Sequence, residues 1–230
     1  NLAGFLFVIA ACIVEYVYNK YYQRYTMQEV YNNSAYVVGD VVSPPVFSHS
    51  IFSEEFYRLV LKVPRLSGIS DYIPITVSGE TLSDLGELTQ GERLAVSGQL
   101  RSYNKPVDGT NRLVITVFSR NIIKLSLEAE CDNEIMLTGC ICKPVIYRRT
   151  PLFREIGDIL LAVNRAYGKS DYLPCITWGK NARCAQTLNV GDIIEMTGRL
   201  QSREYTKRDS DGNSYIRTAY EVSISEFTVI

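Results

Sequence analysis

The sequence predicts an all-β chain of two tandem five-stranded Greek-key barrels, each with a short helix between strands three and four, preceded by an N-terminal apolar helix. Three observations carry this expectation. Apolar and polar residues alternate with period two along many short segments separated by turn residues. The stretch SDYIPITVSGE at Ser70–Glu80 returns one hundred positions later as SDYLPCITWGK at Ser170–Lys180. Each copy also has three strand-like segments, a short helical one and two more strands in roughly a hundred residues, the size of one small domain.

The repeat holds well beyond that stretch. Gly39, Leu61, Val63, Arg65, Gly91, Gly98, Leu100 and Ser102 reappear as Gly139, Leu161, Val163, Arg165, Gly191, Gly198, Leu200 and Ser202. Near the end Arg112 and Val117 match Arg217 and Val222, so the offset grows from 100 to 105 and the second copy carries five extra residues in the intervening loop. We therefore divide the chain into residues 1–32, a first barrel over 33–130 and a second over 133–230. The join Cys131-Asp132-Asn133 is too short to let the barrels swing far, so the pair should be close to rigid.

Residues Leu2 to Val14 are uninterruptedly apolar, and Glu15 ends the run. These thirteen residues fall short of the roughly 18 to 20 needed to cross a bilayer, and extension to Tyr18 makes the length marginal. A membrane is accordingly not an expected partner. Nothing between Phe5 and Arg24 breaks a helix, and the first Met is Met27. The segment reads as a leader upstream of a start at Met27, an anchor helix, or a helix packed on a domain.

In the first copy, Ala35–Val42 reads as a strand ended by Ser43-Pro44-Pro45, and the connection to Glu55 reads as a hairpin loop. Phe56–Val63 and Asp71–Ser78 follow as strands, with Ile73, Ile75 and Val77 facing inward. Leu82, Leu85 and Leu88 recur at helical spacing. Leu94–Ser102 and Arg112–Ile123 complete the unit around a turn, Asn104–Asn111. The second copy repeats the order with Glu134–Cys142, Glu155–Val163, Asp171–Trp178, a helix near Ala182–Leu188, Ile193–Glu204 and Tyr215–Phe227. This is the element order of the OB-fold. Pro74 and Pro174, inside the third strand, mark an edge or a bulge.

The formal net charge of the 230-residue chain is −1, which gives no argument for a polyanionic partner. By copy, Asn33–Cys131 has 9 basic and 11 acidic residues (net −2) and Asp132–Ile230 has 13 and 12 (net +1). Lys143, Arg148, Arg149 and Arg154 cluster in one connection, and Arg203, Lys207 and Arg208 in another. The six Cys have no zinc-like spacing and read as small buried residues in a reducing cytosol. With His49 the sole His and no Gly-rich phosphate loop, catalytic triads and His-based metal sites have little to draw on. We expect no enzyme activity, no cofactor, no metal and no small-molecule substrate.

Alternation along Ser170–Ala182 separates Leu173, Cys175 and Thr177 from Tyr172, Pro174, Ile176 and Trp178. The second set carries the chain's only Trp. Two flat rings followed by Lys180 make a platform on which nucleic-acid bases could stack, unless both rings are core.

The second copy resembles the bacterial single-stranded DNA-binding protein family. The matching residues are Asn133-Glu134-Ile135, Leu137, Gly139, Leu161-Ala162-Val163-Asn164-Arg165, Tyr167, Asp171-Tyr172 and Trp178-Gly179-Lys180. They continue with Gly191-Asp192, Gly198-Arg199-Leu200-Gln201-Ser202-Arg203, Tyr205 and Thr218-Ala219-Tyr220-Glu221-Val222. The resemblance implies base stacking by Tyr167, Tyr172, Trp178 and Tyr205, and phosphate contacts from Arg148, Arg149, Arg154, Lys180, Arg203, Lys207 and Arg208. In the first copy Tyr72 is kept, but Ser67, Ser78 and Lys105 stand where the second has Tyr167, Trp178 and Tyr205. Tyr103, two residues away, could point the same way. The first barrel is thus expected to bind more weakly.

The resemblance also implies a cytoplasmic protein of DNA replication, recombination or repair. It implies a homodimer that brings four OB-folds together, with replication or repair proteins as further partners. Members usually recruit those partners through a disordered acidic tail, whereas Thr228-Val229-Ile230 reads as strand. The competing reading is an interaction module resembling the primosomal replication protein N branch, which mainly holds other replication proteins.

Overall fold

The computed structural model describes residues 32–107, 110–165, 168–208, 212 and 214–230. The expected N-terminal helix lies outside these residues. Residues Asn32–Ile230 form one compact unit. Its first half contains β1 (Asn33–Val41), β2 (Val46–Ile51), β3 (Glu54–Pro64), β4 (Ser70–Ser78), α1 (Gly79–Leu85), β5 (Arg93–Val107) and β6 (Thr110–Leu125). The second half contains β7 (Asp132–Ile141), β8 (Ile146–Arg149), β9 (Glu155–Asn164), β10 (Ser170–Trp178), α2 (Gly179–Ala185), β11 (Ile193–Arg208) and β12 (Ser214–Val229).

In the first half β1 pairs with β3, β3 with β4, β4 with β6, β6 with β5 and β5 back with β1. The second half closes the same way through β7, β9, β10, β12 and β11. Each ring is antiparallel except at one seam. There β4 runs parallel to β6 at Ile75 and Thr76 alone, and β10 to β12 at Cys175 and Ile176 alone.

The expected five strands per half are joined by a sixth. The segment read as a loop forms β2, which pairs with the outer edge of β3, and β8 does the same to β9. Val46–Ile51 buries no residue, so its sequence carries no apolar alternation, and cross-strand bonding alone makes it a strand. Leu88 lies beyond the end of α1, buried against the core, while Leu82 and Leu85 pack on its rim.

Alternation does place the core. Ile73, Ile75 and Val77 on β4, and Leu173, Cys175 and Thr177 on β10, are buried. Of the other cysteines, Cys131, Cys140 and Cys142 are half-buried and Cys184 is exposed, so burial is confined to Cys175 among those described. The prolines sit in register with β3 and β9, opposite Val60 and Leu160, with no bulge there. Backbone N–H groups two residues apart point the same way, so the missing N–H of Pro74 would lie on the seam side, where β4 has little strand partner. The carbonyl of Pro74 on that side accepts from the Thr116 hydroxyl at 3.0 Å. An edge position explains the proline, as expected.

The halves join through β1 and β7, antiparallel from Asn33↔Leu137 to Val38↔Asp132, giving one twelve-stranded sheet. The register is self-complementary: Asn33 faces Leu137, and Val37 faces Asn133. Two ion pairs, each with a buried carboxylate and a half-buried guanidinium, reinforce it. Arg65 binds Asp71 at 2.7 and 2.5 Å, and the Asp71 carboxylate reaches across to accept from the Ser202 backbone N–H at 2.7 Å. In mirror fashion Arg165 binds Asp171, which accepts from the backbone N–H of Ser102. Asp71 and Asp171 are only 1% and 0% exposed. The carboxylate of Asp71 holds the Arg65 guanidinium above its usual range. The expected rigidity thus has a source beyond the short join.

Candidate nucleic-acid interface

Residues opposite one another on paired strands point to the same side of a sheet. In the second half this builds one outer face across β11, β12, β10, β9 and β8. Tyr205 lies opposite Arg217, and Gln201 opposite Glu221, between β11 and β12. Ser223 lies beside Ile176, Trp178 opposite Ile156, and Ile156 opposite Arg148. Arg203 and Lys207 fall on this face as well, two residues to either side of Tyr205.

Tyr172 and Trp178 keep 52% and 40% of their surface open, so neither ring is core. Tyr205, Tyr103 and Tyr72 are exposed too. The Arg203 guanidinium lies 5.8 Å from the Tyr205 ring centre, within cation–π range. On the same face Ile176 and Ile156 are buried.

The cations divide into two kinds. Arg148 is bound to Asp158 at 2.7 and 3.2 Å, and Arg149 to Glu155 at 3.4 Å. Glu155 also accepts from Tyr147 at 2.7 Å and from Arg183, and these donors hold its carboxyl below the usual range. Part of the positive charge read from the sequence is therefore already neutralised by acids of β9. Arg154, Lys180, Arg203 and Lys207 are exposed and carry no ion pair among the described residues. Tyr167 lies outside the described residues. Arg208 ends β11, and its side chain lies outside them too.

The first half has the corresponding face. Tyr103, opposite Val114, shares it with Lys105, and Arg58 donates to the Tyr103 hydroxyl at 3.2 Å. Sequence matching missed an aromatic group here. The His49 ring stacks on Phe56 at 5.1 Å and 16°, and Phe56 meets Phe118 at 5.6 Å. These rings come from three strands, and no local pattern announces them. Both hairpins between β2 and β3 and between β8 and β9 also end in an exposed phenyl ring at positive φ, Phe52 at 49° and Phe153 at 57°. No group of acids, Cys and His able to hold a metal ion occurs among the described residues.

Two closed rings with a short parallel seam, each carrying one helix after the third ring strand, define a tandem OB-fold protein. The fold is that of the wild-type single-stranded DNA binding protein from Thermus aquaticus, with a TM-score of 0.69 over 86% of this chain and 92% of that one, at 21% identity. A deletion mutant of the Thermus protein gives 0.71 over 86% and 94%, at 20% identity. Residues 132–230 match the model of the Single-strand binding protein family. The single-stranded DNA-binding protein of Caldanaerobacter subterraneus subsp. tengcongensis is 33% identical over 90 residues, 36% of this chain and 59% of its own length. That of Bacillus cereus is 33% identical over 84 residues, 34% of this chain and 49% of its own. The chain thus spans about half the length of the curated relatives it matches.

Proposed function

We propose that the chain binds single-stranded DNA without sequence preference, stacking bases on Tyr172, Trp178 and Tyr205 and meeting phosphates with Arg154, Lys180, Arg203 and Lys207. The observation that carries this reading is the exposure of three rings on one sheet face, with Arg203 and Lys207, free of ion pairs among the described residues, on the same face. Aromatic faces stack on any base, and cations track the backbone, so neither contact selects sequence. Arg148 and Arg149 join as secondary contacts, because exposed ion pairs are weak enough for a phosphate to displace the carboxylate. Tyr167 and Arg208 complete the set through the family resemblance. Tyr72 and Tyr103 give the first barrel a weaker version of the face.

In this reading the protein acts in replication, recombination or repair in the cytoplasm, pairs with a second copy to present four barrels, and protects the strand without chemistry. Among the described residues no helix is long and apolar enough to cross a membrane. A pure interaction module would have no need of the open rings.

Titration with oligo-dT tests this directly. Trp178 is the chain's single Trp, so stacking should quench most of the indole fluorescence. With about four phosphates neutralised, log K against log[salt] should fall with a slope of about −3. Unquenched fluorescence together with a flat salt response would remove the proposal.

A further inference from the structure

We infer that Ser102 and Ser202 are positioning residues for the stacking tyrosines of the opposite barrel: Ser102 holds Tyr172, and Ser202 holds Tyr72. The inference rests on the proposed single-strand binding, and it concerns how the binding face is kept in place.

The seam of each ring creates the need. Because β10 meets β12 only at Cys175 and Ile176, the first half of β10 has β9 on one side and no ring strand on the other. The backbone N–H of Tyr172 points into that gap. It donates to the Ser102 hydroxyl oxygen at 2.8 Å, seventy positions away in the other barrel. At the equivalent gap in the first barrel, the Tyr72 N–H donates to the Ser202 hydroxyl oxygen at 3.0 Å.

The hairpins explain how the serines arrive there. Inner-face residues of β5 include Leu94, Val96 and Leu100, all buried. Ser102 continues that parity, but the hairpin has by then run past its own core. Its side chain therefore meets the neighbouring barrel instead. Ser202 on β11 follows from Leu200 in the same way.

The same two serines anchor the clasps described above. The Ser102 carbonyl accepts from Arg165 at 2.9 Å, and the Ser202 carbonyl accepts from Arg65 at 3.2 Å. Those anchors are backbone groups, so they survive truncation of the side chain. The Ser102 hydroxyl is left with one separable task, accepting from the tyrosine next to the clasped aspartate, whereas the Ser202 hydroxyl also donates to Asp71 at 3.3 Å. Without it the N–H at the seam loses its partner, and the tyrosine backbone is free to shift relative to Trp178 on the same strand. Each stacking face is then completed by the barrel that does not own it.

Ser102→Ala and Tyr172→Ala, singly and together, form the test, read as oligo-dT affinity by Trp178 quenching with thermal stability alongside. Ser102→Ala should weaken binding about three- to tenfold, and should have no further effect once Tyr172 is Ala. Ser102→Thr, which keeps the hydroxyl, should bind within about twofold of the parent. Ser202→Ala against Tyr72→Ala is an independent cycle at the other seam, read as the coupling between the two changes because the Ser202 hydroxyl also donates to Asp71, and Ser102→Ala against Tyr72→Ala should be additive. An unchanged affinity for Ser102→Ala, or an equal loss with and without the Tyr172 ring, overturns the inference while leaving single-strand binding intact. Failure of the parent chain to bind oligo-dT overturns both.

Discussion

The two helix starts stand at the same place in the two barrels and are built for opposite ends. In the first barrel Ser78 caps α1, its hydroxyl accepting from the Thr81 N–H at 3.2 Å, and Glu80 follows in the first turn. Both choices favour a helix, one by satisfying a free N–H and the other by placing negative charge at the positive end of the dipole. In the second barrel Trp178 stands at the cap with no side-chain bond, and Lys180 replaces the acid. A cation there opposes the helix dipole but suits a phosphate.

The neighbouring row follows the same division. Arg148, Ile156 and Trp178 in the second barrel correspond to His49, Phe56 and Ser78 in the first. One row ends in an open indole. The other closes its aromatics on one another, and Phe56 is 6% exposed. What the barrels share is the interior and the clasp between them; what separates them is the outer face. The first barrel uses these positions for stability, and in the proposed reading the second uses them for ligand.

The largest effect should test the shared part. Asp171 faces Arg165 and also Arg101, at 3.4 Å, whereas Asp71 pairs with Arg65 alone among the described residues. Burial beside Arg165 already holds the Arg101 guanidinium below its usual range. Removing one partner of a buried pair costs about 3–5 kcal/mol. Asp171→Asn and Asp71→Asn should both fall near that range by urea denaturation, and Asp171→Asn should be the worse because it strands two cations. Equal losses would show that Arg101 takes no part in the clasp.

Next come substitutions whose cost should be the same in both halves. Gly98 and Gly198 each stand where the partner strand bulges, at Arg120 of β6 and Ser225 of β12, and a methyl group on either would overlap a backbone carbonyl, of Phe118 or of Ser223. Gly98→Ala and Gly198→Ala should each lose about 1–3 kcal/mol, visible as matched drops in thermal stability. A large mismatch would mean that the halves are not packed alike despite the shared register.

The repeat explains how much of this was legible beforehand. Gly98 and Gly198 recur at the offset of one hundred because the carbonyls of Phe118 and Ser223 leave no room for a methyl group, and Leu61, Leu161, Leu100 and Leu200 recur because the core needs them. Alternation on β10 pointed Trp178 outward correctly. The clasp was written in the sequence as repeated residues, Arg65 with Asp71 and Arg165 with Asp171. Its acceptor Ser202 lies 131 positions from Asp71, however, and no spacing rule reaches that far. β2 stayed hidden because a strand exposed on both faces has no apolar period. His49, Phe56 and Phe118 were missed because position-by-position matching looks for a ring at Ser78, while the rings lie on adjacent strands.

A comparable contrast should appear in affinity. Trp178→Ala should weaken oligo-dT binding by about 1–3 kcal/mol, while Tyr72→Ala costs under about 1 kcal/mol. Equal losses would make the first face as strong a binder as the second and would point to the His49–Phe56–Phe118 group as its missing platform.

The smallest effect isolates the trade at the helix start. Ser78→Ala removes the cap acceptor of α1 and the hydroxyl's bond with the Thr81 side chain, so it should cost about 1 kcal/mol of stability and leave oligo-dT affinity unchanged. Trp178→Ala at the matching position should do the reverse, losing affinity with little stability, since its ring is open and caps nothing. The backbone agrees with this division. Gly179 enters α2 at a φ of 53°, a conformation open chiefly to glycine, whereas Gly79 is not among the positive-φ residues. The chain thus reaches α2 by a route that presents Trp178 outward and gives up the ordinary cap. If Trp178→Ala instead lowers stability by several kcal/mol with affinity intact, the ring is a structural cover for Ile156, and the division of labour between the barrels fails at the position where it is drawn most sharply.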